Sequence, residues 1–370
     1  MTESGSDVVI CGGGVIGAAI AYYLAERGVR STIVEATTVA HGASGYSGGL
    51  LSAPNPDQLR TPMAGILQRS YAMHGPLAET LPEQSGVDYR FHWSASPTIA
   101  LTESDEEAYR QSAAEMDGAR WLNESELREL CPLIDQPVRG AYLGAPTGQI
   151  DSYLYTQALV AAAQRGGATL RVARVEGLER AGDRVAGVRL AGGEVLGCDA
   201  AVVAMGPWSV EAGDWLGSPV AVTPLKGQIL RLHPKTPVPF VGFSDADGDY
   251  MMPKRSGLVY TGTTEESVGF DATPTPAARD AIRRFGAKYS SQLGEMEIVQ
   301  QTACLRPLSQ DELPILGAAP SLDGAYLATG HGRKGIMLSP ATGLAMAELI
   351  TQGRSESLDL GPFDPGRFGR

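Results

Sequence analysis

The 370-residue sequence predicts an α/β fold in which a Rossmann-like dinucleotide-binding domain is interleaved with a second, mixed-sheet α+β domain. Three observations predict it. Residues 7–35 read as strand, glycine turn, helix and strand, a βαβ unit. Two later apolar runs, 200–204 and 325–329, have the continuous hydrophobicity of buried parallel strands and so return to the sheet of that unit. Between them, 224–265 is strand-rich and gives way to a helical pattern, so the domains alternate along the chain.

The first apolar run, 7–11, leads into Gly12-Gly13-Gly14-Val15-Ile16-Gly17, a GxGxxG sequence. Helical spacing continues over 15–27 and stops at Gly28, and the next apolar run, 31–35, ends on Glu35. Each glycine has a separate reason. Gly12 permits the tight turn, Gly14 lets the backbone approach a pyrophosphate, and Gly17 lets the helix pack closely on the strand. The phosphates then meet the N-terminus of the helix, where unpaired N–H groups and the helix dipole favour negative charge. Glu35, 18 residues beyond Gly17, suits a ribose diol and repels a 2′-phosphate. FAD or NAD therefore fits this unit, and NADP does not.

Farther along, 155–165 reads as a helix closed by Gly166-Gly167. Strands are expected at 171–179, 184–190 and 194–198, with Ala181-Gly182-Asp183 and Ala191-Gly192-Gly193 as turns of a β-meander. The run 200–204 stops at Gly206, as a strand does whose end meets a ligand. Within the second domain, strands are expected at 228–232, 250–252 and 258–261, and a helix at 276–289. Ser339 and Pro340 supply an N-cap and a first-turn proline for a last helix reaching about residue 352.

Composition removes several classes of function. A net charge of −12 without a run of Lys or Arg repels nucleic acid and anionic membranes. The four cysteines, Cys11, Cys131, Cys198 and Cys304, form no CxxC pair, which predicts no metal site and fits a reducing cytoplasm. After Met1 a short polar leader runs directly into the first strand, and no apolar stretch is long enough to span a bilayer. One competing motif is present: Gly45-Tyr46-Ser47-Gly48-Gly49 matches the GxSxG of serine hydrolases, with His331 as a possible base. Such a serine needs a strand before it, whereas 37–43 is small, polar and turn-like. The better reading is a loop running beside the dinucleotide, its small residues allowing close approach.

Several segments together are similar to one family. They are CGGGVIG with Glu35, SGYSGGLL (44–51), AVVAMGPWS (201–209), PLKGQILRL (224–232), YMMPKR (250–255), LVYTGTTEESVGFD (258–271), LRPLSQDELPILG (305–317) and ATGHGRKGIMLSPATG (328–343). Their combination resembles the D-amino-acid oxidase type of flavoprotein, most closely its glycine oxidase branch. The resemblance implies that the dinucleotide is FAD, held in a domain of the glutathione reductase type made of 1–90, 145–220 and 303–370, with 91–144 and 221–302 as the substrate domain. The single GxGxxG leaves no second nucleotide site for a reducing NADPH, so the substrate itself delivers the hydride.

By the same resemblance, Arg306 clamps the substrate carboxylate, a role that suits a planar two-pronged guanidinium. Arg333 lies near substrate and flavin, and Tyr250 on the pocket wall. FAD contacts are implied at Gly12, Gly14, Val15, Ile16 and Gly17; at Glu35 and Ala36; at Ala43, Ser44, Gly48, Gly49 and Leu50; at Val175; and along His331, Gly332, Arg333, Lys334, Gly335, Ile336 and Met337. The expected reaction is hydride transfer from the Cα of a small amino acid or amine to flavin N5, giving an imine, with O2 reoxidising the flavin to yield H2O2. The alternative is the FAD subunit of a heteromeric dehydrogenase that passes electrons to a partner or quinone. A homo-oligomer is compatible with both. Two departures from glycine oxidases stand out: Lys334 replaces their usual Asn, and Cys304 is not usual there. Cys304 is two residues before Arg306, so on a strand both face the same side. Monomeric sarcosine oxidases attach FAD through a cysteine in a comparable segment; a small buried thiol beside noncovalent FAD is the expectation here.

Overall fold

The computed structural model describes residues 6–369; the polar leader and the last residue lie outside the described residues. Strand Ser6–Cys11 runs through the middle of the first sheet, parallel to Ser31–Glu35 on one side and Val195–Val203 on the other. Val9, Ile10 and Cys11 have no solvent exposure at all, the burial on both faces that a continuous apolar run requires. Thr169–Val172 extends this sheet in parallel on one side, and Ala325–Thr329 on the other. Helices Val15–Ala25, Ala64–Ser85, Ser152–Arg165 and Gly335–Gln352 bury their apolar sides against one face. The meander Val175–Ala181, Arg184–Leu190 and the start of Val195–Val203 covers the other, with Leu178, Val188 and Leu190 packed on Val9, Cys11 and Val34.

Three expected elements differ in detail. The strand expected over 171–179 is two strands, because the backbone changes partner at its middle. Ala173 N–H donates to the Glu35 carbonyl in the main sheet, while the Arg174 carbonyl accepts from Ala191 in the meander. Conversely, 194–198 and 200–204 fuse into Val195–Val203, antiparallel to one neighbour at its start and parallel to another at its end. The last helix begins at Gly335, so Ser339 is not its N-cap and Pro340 lies inside it. The ring deprives the Ile336 carbonyl of its usual donor, and the Ser339 hydroxyl donates to that carbonyl instead, at 2.8 Å.

The second sheet is mixed and eight-stranded, in the order Glu297–Ser309, Val222–His233, Val259–Gly262, Tyr250–Pro253, Phe243–Ser244, Thr98–Ala100, Gly140–Leu143 and Arg120–Asn123. All its pairings are antiparallel except that of Phe243–Ser244 with Thr98–Ala100. Helix Pro276–Tyr289 starts where Thr275 accepts from the Ala278 N–H, and its Ile282, Phe285 and Tyr289 close the core of this sheet. The fold is thus α/β, with two large sheets that alternate along the sequence and a small antiparallel one of Leu50–Leu51, Thr147–Gln149 and His92–Ser94. Strand Glu297–Ser309 runs across residue 303, the point at which the sequence suggested a return to the first domain, and its long pairing with Val222–His233 keeps all of it in the second sheet.

Candidate active site

A cavity of about 860 Å³ lies between the two sheets. On the first-sheet side it is bounded by the turn after strand Ser6–Cys11, and the backbone there dictates glycine. Gly12 has φ of +115°, and a Cβ on it would lie 2.4 Å from the Ala204 carbonyl oxygen. Gly17 does not line the cavity; it sits beneath the turn, where a Cβ would come within 2.1 Å of the Gly12 carbonyl oxygen. The helix Val15–Ala25 therefore packs against the turn, with Gly14 at its N-cap position.

The Glu35 carboxylate is anchored from below, one oxygen accepting from Gly13 N–H at 2.8 Å and the other from Thr37 N–H at 2.9 Å. Gly13 was missed from the sequence: a Cβ there would press on the Glu35 side chain at 3.0 Å. The Ser44 hydroxyl accepts from Val15 N–H at 2.9 Å, tying the 43–50 segment to the helix start. That segment is a short helix, Ala43–Tyr46, leading to an extended Ser47. No strand precedes Ser47, its hydroxyl accepts from Gly49 N–H, and His331 bonds to Thr342. The hydrolase alternative has no nucleophile–base pair among the described residues.

Gly12, Gly14, Val15, Ile16, Glu35, Ala36, Ala43 and Ser44 all line this cavity, as do Gly48, Gly49, Leu50, Val175, Tyr250, Cys304 and Arg306. His331, Gly332, Arg333, Gly335, Ile336 and Met337 complete the expected set on its wall. Gly17, beneath the turn, and Lys334 are the exceptions. Lys334 occupies the position just before the helix Gly335–Gln352 without a capping bond and stands off the wall, its ammonium pulled below the usual lysine range by partial burial and by Arg333.

On the second-sheet side, Cys304 and Arg306 face the cavity from alternate positions of strand Glu297–Ser309. The guanidinium of Arg306 lies across Gly227 on the neighbouring strand, where a Cβ would be 2.0 Å from its nitrogen. It donates to the Thr263 hydroxyl at 2.6 Å and the Thr264 carbonyl at 3.1 Å. Burial lowers its pKa from the usual arginine value, and burial raises that of the Cys304 thiol despite the adjacent guanidinium. Arg333 is more exposed; it donates to the Gly248 carbonyl at 2.8 Å, and Glu265 stands 3.3 Å from Arg333 and 3.6 Å from Arg306. Gly227, Thr263 and Glu265 carry no chemical motif of their own, so only the pairing of strands reveals them. The Tyr250 ring reaches the backbone of Gly48, where a Cβ would be 2.4 Å from its hydroxyl. Burial pushes the Tyr250 hydroxyl up to about 12, so it is a neutral donor at physiological pH.

His331 is buried and neutral. Burial lowers its pKa to about 3, and its Nδ1 has no protein partner among the described residues. His74, whose Nε2–H donates to the Met337 carbonyl, is lowered to about 4 by burial. An unfolded chain protonates both near 6.5, so it binds more protons than the native state as pH falls below that value, and stability declines by up to about 1.4 kcal/mol per pH unit for each histidine. Tm is therefore expected to fall between pH 7.5 and 5.5, and the variant carrying His74→Gln and His331→Gln to lose less of it. An equal fall in both proteins would assign the effect to other groups.

The surroundings fit FAD. An elongated cavity begins at a glycine turn, passes an anchored acidic residue, and ends where a second helix, Gly335–Gln352, starts with no side-chain cap. Its uncapped N-terminus and the Nδ1 of His331 offer polar partners to a ring at that end. Such a fold and site define an FAD-dependent oxidoreductase, and residues 7–349 match the family described as DAO, FAD dependent oxidoreductase. The chain belongs to that family. Glycine oxidase of Geobacillus kaustophilus is 31% identical over 362 residues, covering 96% of each protein. The crystal structure of glycine oxidase from the same organism superposes with a TM-score of 0.92, at 29% identity and 98% coverage of both chains. Hydrogen cyanide synthase subunit HcnC of Pseudomonas aeruginosa is 28% identical over 402 residues, covering 98% of this chain and 96% of that protein. Among the described residues, no helix is long and apolar enough to cross a membrane, and no group of three or more His, Cys, Asp or Glu could hold a metal ion.

Proposed function

We propose that the protein oxidises the C–N bond of a small amino acid or amine, of the glycine, sarcosine or D-amino acid kind, to an imine, with O2 as electron acceptor and H2O2 as product. The observation that carries this reading is the convergence of the buried Arg306, the more exposed Arg333 and the neutral Tyr250 on the cavity that begins at the glycine turn. FAD, when bound, supplies the hydride acceptor. The segments 1–90, 145–220 and 303–370 serve that cofactor in this reading, and 91–144 with 221–302 serve the substrate.

Arg306 binds the substrate carboxylate through two N–H groups, held in place by Thr263 and Thr264. Its burial strengthens that pairing, because little water competes for it. Tyr250 donates to the same carboxylate from another strand of the same sheet, and Ile229 and Met252 exclude water from the reacting carbon. His331, neutral and tied to Thr342, takes no proton in this scheme. The amine arrives unprotonated, so positioning dominates over acid–base chemistry. Water then hydrolyses the imine.

The similarity to a hydrogen cyanide synthase subunit supports a second reading, a dehydrogenase subunit that delivers electrons to a partner or quinone. Purified protein, titrated without oxygen against glycine, sarcosine, D-alanine and D-proline, tests both. Flavin bleaching by one of these, followed by rapid recovery in air with stoichiometric peroxide, is expected for the oxidase. Slow recovery that an artificial acceptor accelerates would favour the dehydrogenase, and no bleaching by any amine would overturn both.

A further inference from the structure

A second cavity, of about 450 Å³, lies on the far side of the segment that contains His41, Tyr46 and Ser47; these three residues line both cavities. Its character is opposite to that of the chain. In a protein of net charge −12, its walls carry Arg90, Arg231, Lys254 and Arg255 against a single carboxylate, Asp151. That carboxylate stands 3.9 Å from Arg90, one acid among four cations.

The remaining cations are not matched by acids. Lys254 is 7% exposed, and its one acceptor is the Ile150 carbonyl at 3.3 Å, so two of its three N–H groups have no partner among the described residues. Arg231 donates one terminal N–H to Gln300, while its buried Nε has no partner. His92, also on the wall, donates through Nδ1 to the Arg90 carbonyl at 3.2 Å, so its buried, unpartnered Nε2 is an acceptor in the neutral ring. Arg231 and Lys254 stand over the same ring, that of Tyr260, at 4.9 and 5.5 Å from its centroid. Burial draws the Lys254 ammonium down to about 7, with Asp151 opposing and Arg231 adding to the effect. Buried donors left unpaired cost free energy unless an acceptor fills them. Among the described residues no protein element supplies one, and the space between these groups exceeds what a single water needs.

We propose that this cavity is a binding site for a small polyanion, a metabolite bearing two or more carboxylate or phosphate groups, distinct from the cofactor and substrate cavity. Lys254 and the Nε–H of Arg231 supply donors at its inner wall, and Arg90 and Arg255 gather the charge around it. Since His41, Tyr46 and Ser47 form the partition, an occupant here braces the segment that borders the cofactor cavity. The site does not depend on which amine the enzyme oxidises.

The test uses the FAD-loaded protein and two probes, citrate for polycarboxylates and inorganic pyrophosphate for phosphates. Each is titrated calorimetrically at constant ionic strength against a chloride control. Saturable one-to-one binding of at least one probe is expected, with a raised Tm. Lys254→Gln should weaken the Kd at least tenfold, and Arg255→Gln, at an exposed position that the fold does not need, should weaken it about three- to tenfold. The probe that binds identifies the source of the anion. Failure of both probes to bind, or binding that neither variant weakens, would overturn the proposal.

Discussion

Arg306→Ala is expected to raise KM for carboxylate-bearing substrates by roughly 30- to 1000-fold, the equivalent of about 2–4 kcal/mol for losing one partner of a desolvated charge pair. FAD should remain bound, because Arg306 is held by Thr263, Thr264 and Gly227 on the second sheet, away from the glycine turn. Arg306→Lys keeps the charge but loses the two-pronged geometry, and should recover only part of the affinity. Steady-state kinetics alongside the visible flavin spectrum make the measurement, with an amine that lacks a carboxylate as control. That amine should be affected far less. A KM unchanged within twofold in Arg306→Ala would remove the residue from the substrate site and would turn attention to Arg333, the second arginine beside Glu265.

Gly12→Ala should yield protein that retains little or no flavin colour. The new methyl meets the Ala204 carbonyl oxygen at 2.4 Å, and the backbone it sits on, at φ +115°, is one that L side chains rarely adopt. Relief requires the ends of the two central strands to separate, although Ala204 N–H donates to the Cys11 carbonyl at 2.9 Å directly beside the turn. Strain of about 1–3 kcal/mol at the phosphate-binding turn lowers FAD affinity about 5- to 150-fold. The ratio of flavin to protein absorbance measures this, and an unchanged far-ultraviolet circular dichroism spectrum separates it from global unfolding. Full flavin content in this variant would show that the turn tolerates a side chain and that the cofactor is held elsewhere.

Much of the architecture was legible because the periodicity was strong. The apolar runs 7–11, 31–35 and 325–329 are buried on both faces and have few polar positions to confuse them, and helix 276–289 carries Thr275 and Pro276 at its start. Strand Glu297–Ser309 was not legible: its pattern of burial is irregular, and Gln300 and Gln301 interrupt any alternation. Helix Ala64–Ser85 was missed as well, with Pro76 and Pro82 inside it and a mixture of small and polar residues around its apolar side. In the meander, propensity placed the strands correctly but not the break at Ala173 and Arg174, since a change of hydrogen-bonding partner leaves no mark in local composition.

The sequence alone determined the dinucleotide turn, because a φ of +115° and contacts near 2 Å at Gly12 and Gly17 admit only glycine, and the chain must state such constraints in its residues. It also implied that Cys304 and Arg306 share a side if their segment is extended, and the pairing with Val222–His233 is what makes it a strand. What only the tertiary structure decided was which separated segments meet. Gly227 lies under Arg306 through strand register, Gly48 receives Tyr250 from the other sheet, and four cations from three stretches of chain line a cavity that no local pattern announces. Side chains far apart in sequence come together through pairing and packing of whole sheets, and that information is distributed over the entire core.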